Sequence, residues 1–166
     1  MSDAHLPWYA VVVKPRHEKA VADILRITGW ETFLPLYAAR HRWADRTTTV
    51  KLPLFPGYLF SRFSTSEKSR VLNTPGLFDI VRCGKELAPV PDPEILALQR
   101  VATSGLATEP CPDFVIGEDV QMQGGPLVGL IGKLLEVKKS MRLVLSVNLL
   151  NRSILVEIDR EWVRPL

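Results

Sequence analysis

Residues 52–63 constrain the fold of this chain more than any other segment. They read Leu-Pro-Leu-Phe-Pro-Gly-Tyr-Leu-Phe-Ser-Arg-Phe, in which two prolines and a glycine predict a bend and the following aromatic residues predict a strand. Side chains alternate between the faces of a strand, so Leu59 and Phe63 share one face while Tyr58 and Phe60 share the other. Both faces are apolar. This fits a central strand buried on both sides, or a strand with one face in the core and one against a partner.

Size and composition indicate a soluble chain with one ordinary domain or two small ones. Hydrophobic residues make up 46% of the 166 residues and charged residues 23%. No apolar run approaches the ~18 residues of a membrane span, and the first residues lack the pattern of a secretion signal. Cys83 and Cys111 stand alone, without metal-ligand spacing. We therefore expect a reducing, cytoplasmic location, no membrane association and no zinc.

The charge balance points weakly toward nucleic acid. The net charge is +3 and the pI about 9.0, and most of the surplus lies before residue 104. A nucleic-acid surface, if the protein has one, is therefore expected in the N-terminal part. A surplus this small does not establish one by itself.

The chain begins with a strand and a helix that bring basic residues together. Residues 8–14 are bulky and β-branched, and Pro15 suits the first turn of a helix that Gly29 ends as a left-handed cap. Lys14, Arg16 and Lys19 cluster at the helix start, where cations do not complement the helix dipole. This placement favours contact with phosphate, although such a face is usually only solvated.

A second basic group follows in a predicted hairpin. Residues 30–37 read as a strand, and residues 38–52 as a protruding hairpin with its tip near 44–46. Arg40, Arg42 and Arg46 lie there with a histidine and a tryptophan. Charge combined with a stacking ring suits nucleic acid, and a solvated hairpin with one packed tryptophan is the equal alternative.

The rest of the N-terminal part reads as helix, strand and helix. Residues 64–67 resemble a helix cap, residues 77–83 a strand with a buried Cys83, and residues 89–93 are too rich in proline for regular structure. A last helix begins at Pro93. Residues 104–113 contain glycine and prolines but almost no large apolar groups, so we place a linker there between domains at 7–103 and 114–166.

The C-terminal part is predicted to be all β. Five short strands separated by tight turns over about 50 residues suggest a small barrel. Alternation places Val144, Leu150 and Leu155 on its outside. They either pack against the first domain or the barrel ends, or they form a patch that docks another protein; the second reading is slightly favoured.

No catalytic constellation is visible. His5, His17 and His41 are scattered, and there is neither a nucleophile elbow nor a phosphate-binding loop. We therefore expect a binding protein without catalytic residues, metal or cofactor.

Two separate motifs, in order and with a linker between them, resemble the NusG family of transcription elongation factors over nearly the whole chain. The first comprises Trp8-Tyr9, residues 53–60 and the strand from Gly76 to Gly84. The second, from Gly125-Pro126 through Gly132 and on to Ser146-Val147, looks like the family's KOW domain. The resemblance implies an α+β fold: an N-terminal antiparallel sheet flanked by helices (the NGN domain), a flexible linker and a five-stranded SH3-like barrel.

The resemblance also implies partners. The N-terminal domain would bind the clamp helices of RNA polymerase and suppress pausing as a monomer. The barrel would recruit NusE (a ribosomal protein) or the termination factor Rho. The matching polymerase-binding residues are Tyr9, Phe55, Pro56, Tyr58 and Phe60. Those toward the non-template DNA strand are Lys14, Arg16, Lys19, Arg40, Arg42 and Arg46. Those of the KOW partner site are Leu149, Leu150, Asn151 and Arg152.

Some positions sit closer to specialised antiterminator paralogues such as RfaH. Residues 53–60 and Val81-Arg82 are similar to that subgroup, whereas Glu67-Lys68-Ser69-Arg70 replaces its threonine-rich segment. Leu150 stands where the general family member has an aromatic residue. Turn glycines and β-branched residues from Gly124 onward favour a barrel that does not refold into helices. The main alternative is an RNA-binding KOW protein of the ribosome, although such a protein would be more basic.

With the resemblance included, the central strand is expected to have a core face and a polymerase face. Leu59 and Phe63 belong to the core in this hypothesis, and Tyr58 and Phe60 are the exposed pair. Burial of both Tyr58 and Phe60 would contradict it.

Overall fold

The computed structural model describes residues 6–42, 46–111, 117–137 and 139–166 and has a mixed α/β fold. The helices are α1 (Glu18–Thr28), α2 (Lys68–Leu72) and α3 (Asp92–Ser104). The strands in chain order are β1 (Trp8–Val13), β2 (Thr32–Phe33), β3 (Leu36–Arg42), β4 (Thr47–Pro53), β5 (Tyr58–Arg62), β6 (Leu77–Ile80), β7 (Arg82–Cys83), β8 (Glu86–Leu87), β9 (Pro89–Val90), β10 (Thr108–Cys111), β11 (Glu118–Met122), β12 (Ile131–Val137), β13 (Ser140–Val147), β14 (Arg152–Ile158) and β15 (Val163–Pro165).

The chain divides into two compact units. The first runs to Pro35 and continues over Phe55–Ile95, and the second combines Leu36–Leu54 with Leu96–Leu166. This division differs from the predicted domains, because it groups β3, β4 and most of α3 with the C-terminal strands. None of the described helices is long and apolar enough to cross a membrane.

A five-stranded antiparallel sheet forms the centre of the first unit. Its order is β2-β5-β1-β6, with β9 beside the start of β1. The two inner strands, β1 and β5, are rich in bulky apolar residues, as expected for strands covered on both faces. The pairing of Pro89 with Tyr9 corrects the prediction of irregular structure at residues 89–93. Proline is tolerated at this position because β9 is a short strand at the sheet margin.

Helix α1 covers one face of this sheet. Its apolar positions follow helical spacing, and Gly29 ends the helix with φ 111°, its N–H reaching the carbonyls of Leu25 and Arg26. The predicted left-handed cap is therefore confirmed. The core between helix and sheet comprises Tyr9, Val11, Val13, Val21, Ala22, Leu25, Trp30, Leu59, Phe63, Val71, Leu77 and Ile80.

The turn before α2 is a capping box, as the sequence predicts. The Ser64 hydroxyl accepts from the N–H of Ser66, and the Glu67 carboxylate accepts from the N–H of Ser64. Glu67 also accepts the indole N–H of Trp30 at 3.1 Å. The cap thus ties the short α2 to the chain that leaves α1.

Strands β3 and β4 form a long hairpin in the second unit, in register from Leu36–Pro53 to Arg42–Thr47. The hairpin prediction is confirmed for its strands, while residues 43–45, at the predicted tip, lie outside the described ranges. The predicted strand at 30–37 is in fact divided. β2 ends at Phe33 and β3 begins at Leu36, because Pro35 cannot donate a ladder hydrogen bond.

The second unit also contains a six-stranded antiparallel sheet in the order β10-β14-β13-β12-β11-β15. The described strands from residue 118 onward, β11 to β15, match the predicted number of five. Residues 108–111, predicted as linker, instead form β10 and pair with β14. Helix α3 runs to Ser104, so the stretch between α3 and the sheet is only residues 105–107.

Candidate functional site

The corner at Pro56–Tyr58, which leads into β5, is held by two hydrogen bonds of the Gly57 backbone, one to a carboxylate and one to a backbone N–H. Gly57 has φ 87°, a left-handed conformation that favours glycine. Its N–H donates to Oε2 of Glu18 at 2.9 Å, and its carbonyl accepts from the N–H of Val13 at 2.9 Å. Both polar groups of Gly57 are thereby satisfied by the end of β1 and the start of α1. We call Pro56–Tyr58 the docking corner.

The basic residues Lys14, Arg16 and Lys19 lie next to this corner and are all exposed. We call residues 14–19 the basic turn. Helix α1 begins at Glu18, so the prediction that Pro15 opens the helix is wrong: Pro15 and Arg16 form a turn, closed by a hydrogen bond from the N–H of His17 to the Lys14 carbonyl at 3.0 Å. Arg16 has φ 67°. A left-handed arginine is strained, and such strain is more common at functional positions.

The aromatic residues of β5 are not arranged as predicted. Phe60 is 0% exposed, and Phe55 is also buried. The rings of Phe55 and Phe60 meet edge to face with centroids 5.8 Å apart, and the rings of Phe33 and Phe60 stack with centroids 6.2 Å apart. The prediction that Phe60 is exposed is therefore wrong: its side chain is buried and contacts two other aromatic rings. Tyr58 is partly exposed and Pro56 is exposed.

Tyr9 belongs to the opposite face of the sheet. It stacks on Phe63 with ring centroids 4.8 Å apart within the core beneath α1, and burial raises the pKa of its phenol above the usual 10.0. Because Tyr9 and Phe60 face opposite sides of one sheet, they cannot form a single surface. Of the five residues predicted for docking, only Pro56 and Tyr58 remain accessible together.

The hairpin arginines are described in part. Arg40, on β3, and Arg46, just before β4, are exposed. The side chain of Arg42, with residues 43–45, lies outside the described part of the structure. These arginines belong to the second unit and the basic turn to the first, so the prediction that both contact nucleic acid is left as a prediction.

The predicted partner segment Leu149–Arg152 lies at the connection between β13 and β14. Residues 148–150 form a 3₁₀ helix, and Asn151 follows in a left-handed conformation with φ 52°. Asn151 and Arg152 are exposed and Leu149 is partly exposed, whereas Leu150 is buried. Val144 and Leu155 are buried as well, so the predicted outward patch of Val144, Leu150 and Leu155 is not present.

The structural roles of two residues in the first unit, Glu18 and Phe78, were not predicted from the sequence. Glu18 is a buried carboxylate that fixes the docking corner; its place before the apolar positions of a helix was the available signal, but its partner lies 39 residues away. Phe78 is exposed on β6, and no pattern in the sequence marks the bulge that places it there.

The described cysteines and acidic side chains do not form a metal-binding group. Cys83 is exposed, which corrects the prediction of a buried strand cysteine. The described ranges contain no cluster of three or more histidine, cysteine or acidic side chains that could hold a metal.

Comparisons with known proteins give one family. Residues 6–99 match the NusG family model, which describes a transcription termination factor. Among solved structures, one of domain interaction in Thermotoga maritima NusG aligns over 99% of both chains, with 19% identity and a TM-score of 0.63. The MjSpt4:Spt5 complex in one conformation aligns over 96% of this chain and 97% of that chain, with 18% identity and a TM-score of 0.31. A search of curated proteins gave no significant match.

Proposed function

Since the chain belongs to the NusG family of transcription factors, we propose that it acts in transcription elongation and antitermination by binding RNA polymerase through its first domain. We place that domain at residues 7–103 and a KOW domain with an SH3-like barrel at 114–166, which recruits a partner. The polymerase clamp helices contact the docking corner, and the non-template DNA strand contacts the basic turn.

One observation carries this proposal. The hydrogen bonds of Gly57 to Glu18 and Val13 hold the docking corner against the basic turn within one compact unit. A protein that bridges a polymerase surface and the DNA beside it requires an apolar contact and a cationic contact on adjoining surfaces. Tyr58 with Pro56 supplies the first, and Lys14, Arg16 and Lys19 supply the second.

The polymerase contact is smaller than the sequence suggested. Phe55 and Phe60 are buried and do not touch the partner in this proposal. The carbonyl of Phe55 accepts from the N–H of Tyr58 at 2.9 Å. Partly exposed tyrosines are frequent anchors in interfaces because they add contact area at little entropic cost. Tyr58 is accordingly the principal polymerase contact.

The test is retention of core RNA polymerase on immobilised protein. We expect wild type to retain polymerase and Tyr58→Ala to lose roughly tenfold or more in affinity, the effect of removing an interface anchor worth about 1.4 kcal/mol or more. Tyr37→Ala is the matched control, because Tyr37 is a partly exposed tyrosine on the β3–β4 hairpin. Failure of wild type to bind, or equal binding by Tyr58→Ala, would exclude the docking corner.

Transcription assays separate the possible outcomes of binding. We expect the full chain to increase read-through at a pause and at a terminator in vitro, and Lys14→Ala with Arg16→Ala to reduce this effect while polymerase retention persists. Increased release at a Rho-dependent terminator would instead indicate support of termination.

The KOW partner is proposed to contact Leu149, Asn151 and Arg152. Leu150, predicted as a fourth contact, is buried and is left out of the proposed site. Binding of purified NusE and of Rho to wild type and to Leu149→Ala tests this site. Equal binding by Leu149→Ala, or no binding of either protein, would contradict it.

A further inference from the structure

Two arginines of the first unit lie over tryptophan rings. The guanidinium carbon of Arg62 is 5.4 Å from the centroid of the Trp8 ring. That of Arg70 is 5.2 Å from the centroid of the Trp30 ring. Nε of Arg62 also donates to the Leu6 carbonyl at 2.8 Å. Stacking of this kind orients a guanidinium and leaves its edge available to a planar acid group, so both arginines are positioned before any ligand arrives.

The two arginines line one cleft, with a volume of about 370 Å³. Glu31 and Glu67 line it as well, together with the end of α1 at residues 28–29. Half of the described residues around the cleft are therefore charged, and an apolar ligand would leave them without partners. The volume is at the small end for a ligand pocket. The cleft thus fits a small ligand that carries charges of its own.

The two carboxylates of the cleft are held to different degrees. Glu67 accepts from Nε1 of Trp30 at 3.1 Å and from the N–H of Ser64 at 3.3 Å, so the fold fixes its position. The side chain of Glu31 is 61% exposed, and its Oε1 lies 3.4 Å from Nη1 of Arg62. An ion pair this exposed contributes little to stability. An acid group of a ligand can therefore replace Glu31 on Arg62.

The charges of the cleft favour a ligand with both signs. The two guanidinium groups suit two acid groups, since arginine binds carboxylates through paired hydrogen bonds. The carboxylates of Glu31 and Glu67 would repel a ligand that is only anionic, but they attract an ammonium group. The end of the eleven-residue helix α1 adds to this attraction, because the C-terminus of a helix carries a partial negative charge. Two carboxylates and one ammonium group match this arrangement.

We propose that the cleft binds an acidic α-amino acid, aspartate or glutamate. Its two carboxylates contact Arg62 and Arg70, and its ammonium group contacts Glu31. A phosphate group fits less well, because it brings no cation to the carboxylates of the cleft. The site is separate from the docking corner: α1 begins at that corner and ends at the cleft, and a helix of eleven residues is about 16 Å long.

Isothermal titration calorimetry of the full chain with L-glutamate and with L-aspartate tests the site, at about 50 mM salt where charge interactions are weakly screened. We expect one-site binding of at least one of them, and the tighter of the two reports the spacing of the arginines. Glutarate lacks the ammonium group and glutamine lacks the second carboxylate. Each should bind at least about tenfold more weakly, because each loses one set of charge-assisted hydrogen bonds.

Three variants assign the contacts. The side chain of Arg70 is 68% exposed, so Arg70→Ala should fold, and it should weaken glutamate or aspartate binding about tenfold or more. Arg70→Lys should be intermediate, because a lysine has the charge without the planar fork. Glu31→Gln should weaken binding of the amino acid but not of glutarate, which has no ammonium group to lose a contact.

Arg26→Ala is the matched control. Arg26 is a half-exposed arginine on α1 that pairs with Asp23 and lies outside the lining of the cleft, so this variant should bind as wild type does. Thermal unfolding gives a second readout. The ligand should raise the Tm of wild type and of Arg26→Ala with increasing concentration, and should raise that of Arg70→Ala much less.

The proposal is overturned if neither amino acid binds wild type at about 10 mM, a concentration that detects even millimolar affinity. It is also overturned if Arg70→Ala binds as wild type does, or if glutarate binds as tightly as the amino acid. Polymerase retention tests the proposed function separately, because Arg70→Ala leaves the docking corner unchanged and should retain polymerase as wild type does.

Discussion

The carboxylate of Glu18 accepts a hydrogen bond from the backbone N–H of Gly57 at 2.9 Å. This bond joins the first residue of α1 to the corner that leads into β5, across 39 positions of sequence. Glu18 is 6% exposed, so the bond is largely shielded from water. Both surfaces of the proposed function depend on this junction, one on each side.

Replacing Glu18 should destabilise the first unit. Glu18→Ala leaves the N–H of Gly57 without its acceptor, and we expect the free energy of unfolding to fall by about 1–3 kcal/mol. Glu18→Gln retains an acceptor oxygen and should cost less. Urea denaturation of both variants measures this. Asp23→Ala is the control, because Asp23 is exposed on the same helix and should change stability by less than about 0.5 kcal/mol.

Replacing Arg16 should separate stability from binding. Arg16 is left-handed, and we expect Arg16→Gly to raise the free energy of unfolding by about 1 kcal/mol through relief of strain. The same change should weaken binding to single-stranded DNA by removing a cation. Arg26→Gly, inside α1, should lower stability by about 1 kcal/mol. Thermal unfolding of Arg16→Gly and Arg26→Gly measures both changes. Shifts of the two melting temperatures in the same direction would contradict the inference that Arg16 is strained.

Tyr9 should make the protein sensitive to alkali. Its pKa is raised by burial, so the native state holds the phenolic proton more tightly than the unfolded state does. Stability should therefore fall as pH rises above 10.0, the usual tyrosine value, and continue falling until the raised pKa is passed. Tyr9→Phe should reduce this loss and leave polymerase binding unchanged. Loss of polymerase binding by Tyr9→Phe would show that the hydroxyl contacts the partner after all.

Two phenylalanines should respond differently to truncation. Phe60 is fully buried among aromatic rings, and Phe60→Ala should cost about 3–5 kcal/mol. Phe78→Ala removes an exposed ring and should change stability by less than about 0.5 kcal/mol. Equilibrium unfolding of both variants provides the comparison. A similar cost at the two positions would contradict the burial on which the docking corner depends.

Sequence patterns correctly predicted those elements whose conformation depends on interactions between nearby residues. The cap at Gly29, the capping box of Ser64 and Glu67, and the C-terminal turns depend on residues a few positions apart. The alternation in β5 also placed Leu59 and Phe63 correctly in the core. In each case the residues that decide the conformation are neighbours in the sequence.

The sequence predictions were wrong where segments that are distant in the sequence pack together. Alternation showed that Phe60 and Leu59 face opposite sides of the sheet, but not that the rings of Phe33 and Phe55 would contact Phe60. Pro89 reads as a strand breaker, yet it can pair with Tyr9 at the sheet margin. In the same way, the composition of residues 108–111 is typical of a linker, but these residues form a strand because they pair with β14. Composition does not specify such long-range partners.

The bulge at Phe78 has a consequence for solubility. Strand β6 ends the order β2-β5-β1-β6 among the described pairings, and an open edge strand can template the addition of a strand from a neighbouring molecule. An extra residue twists that edge and interrupts its regular spacing of donors and acceptors. The extra residue Phe78 therefore makes it less favourable for a strand of another molecule to pair with β6. An exposed aromatic side chain can then remain on the surface of a protein that is expected to act as a monomer.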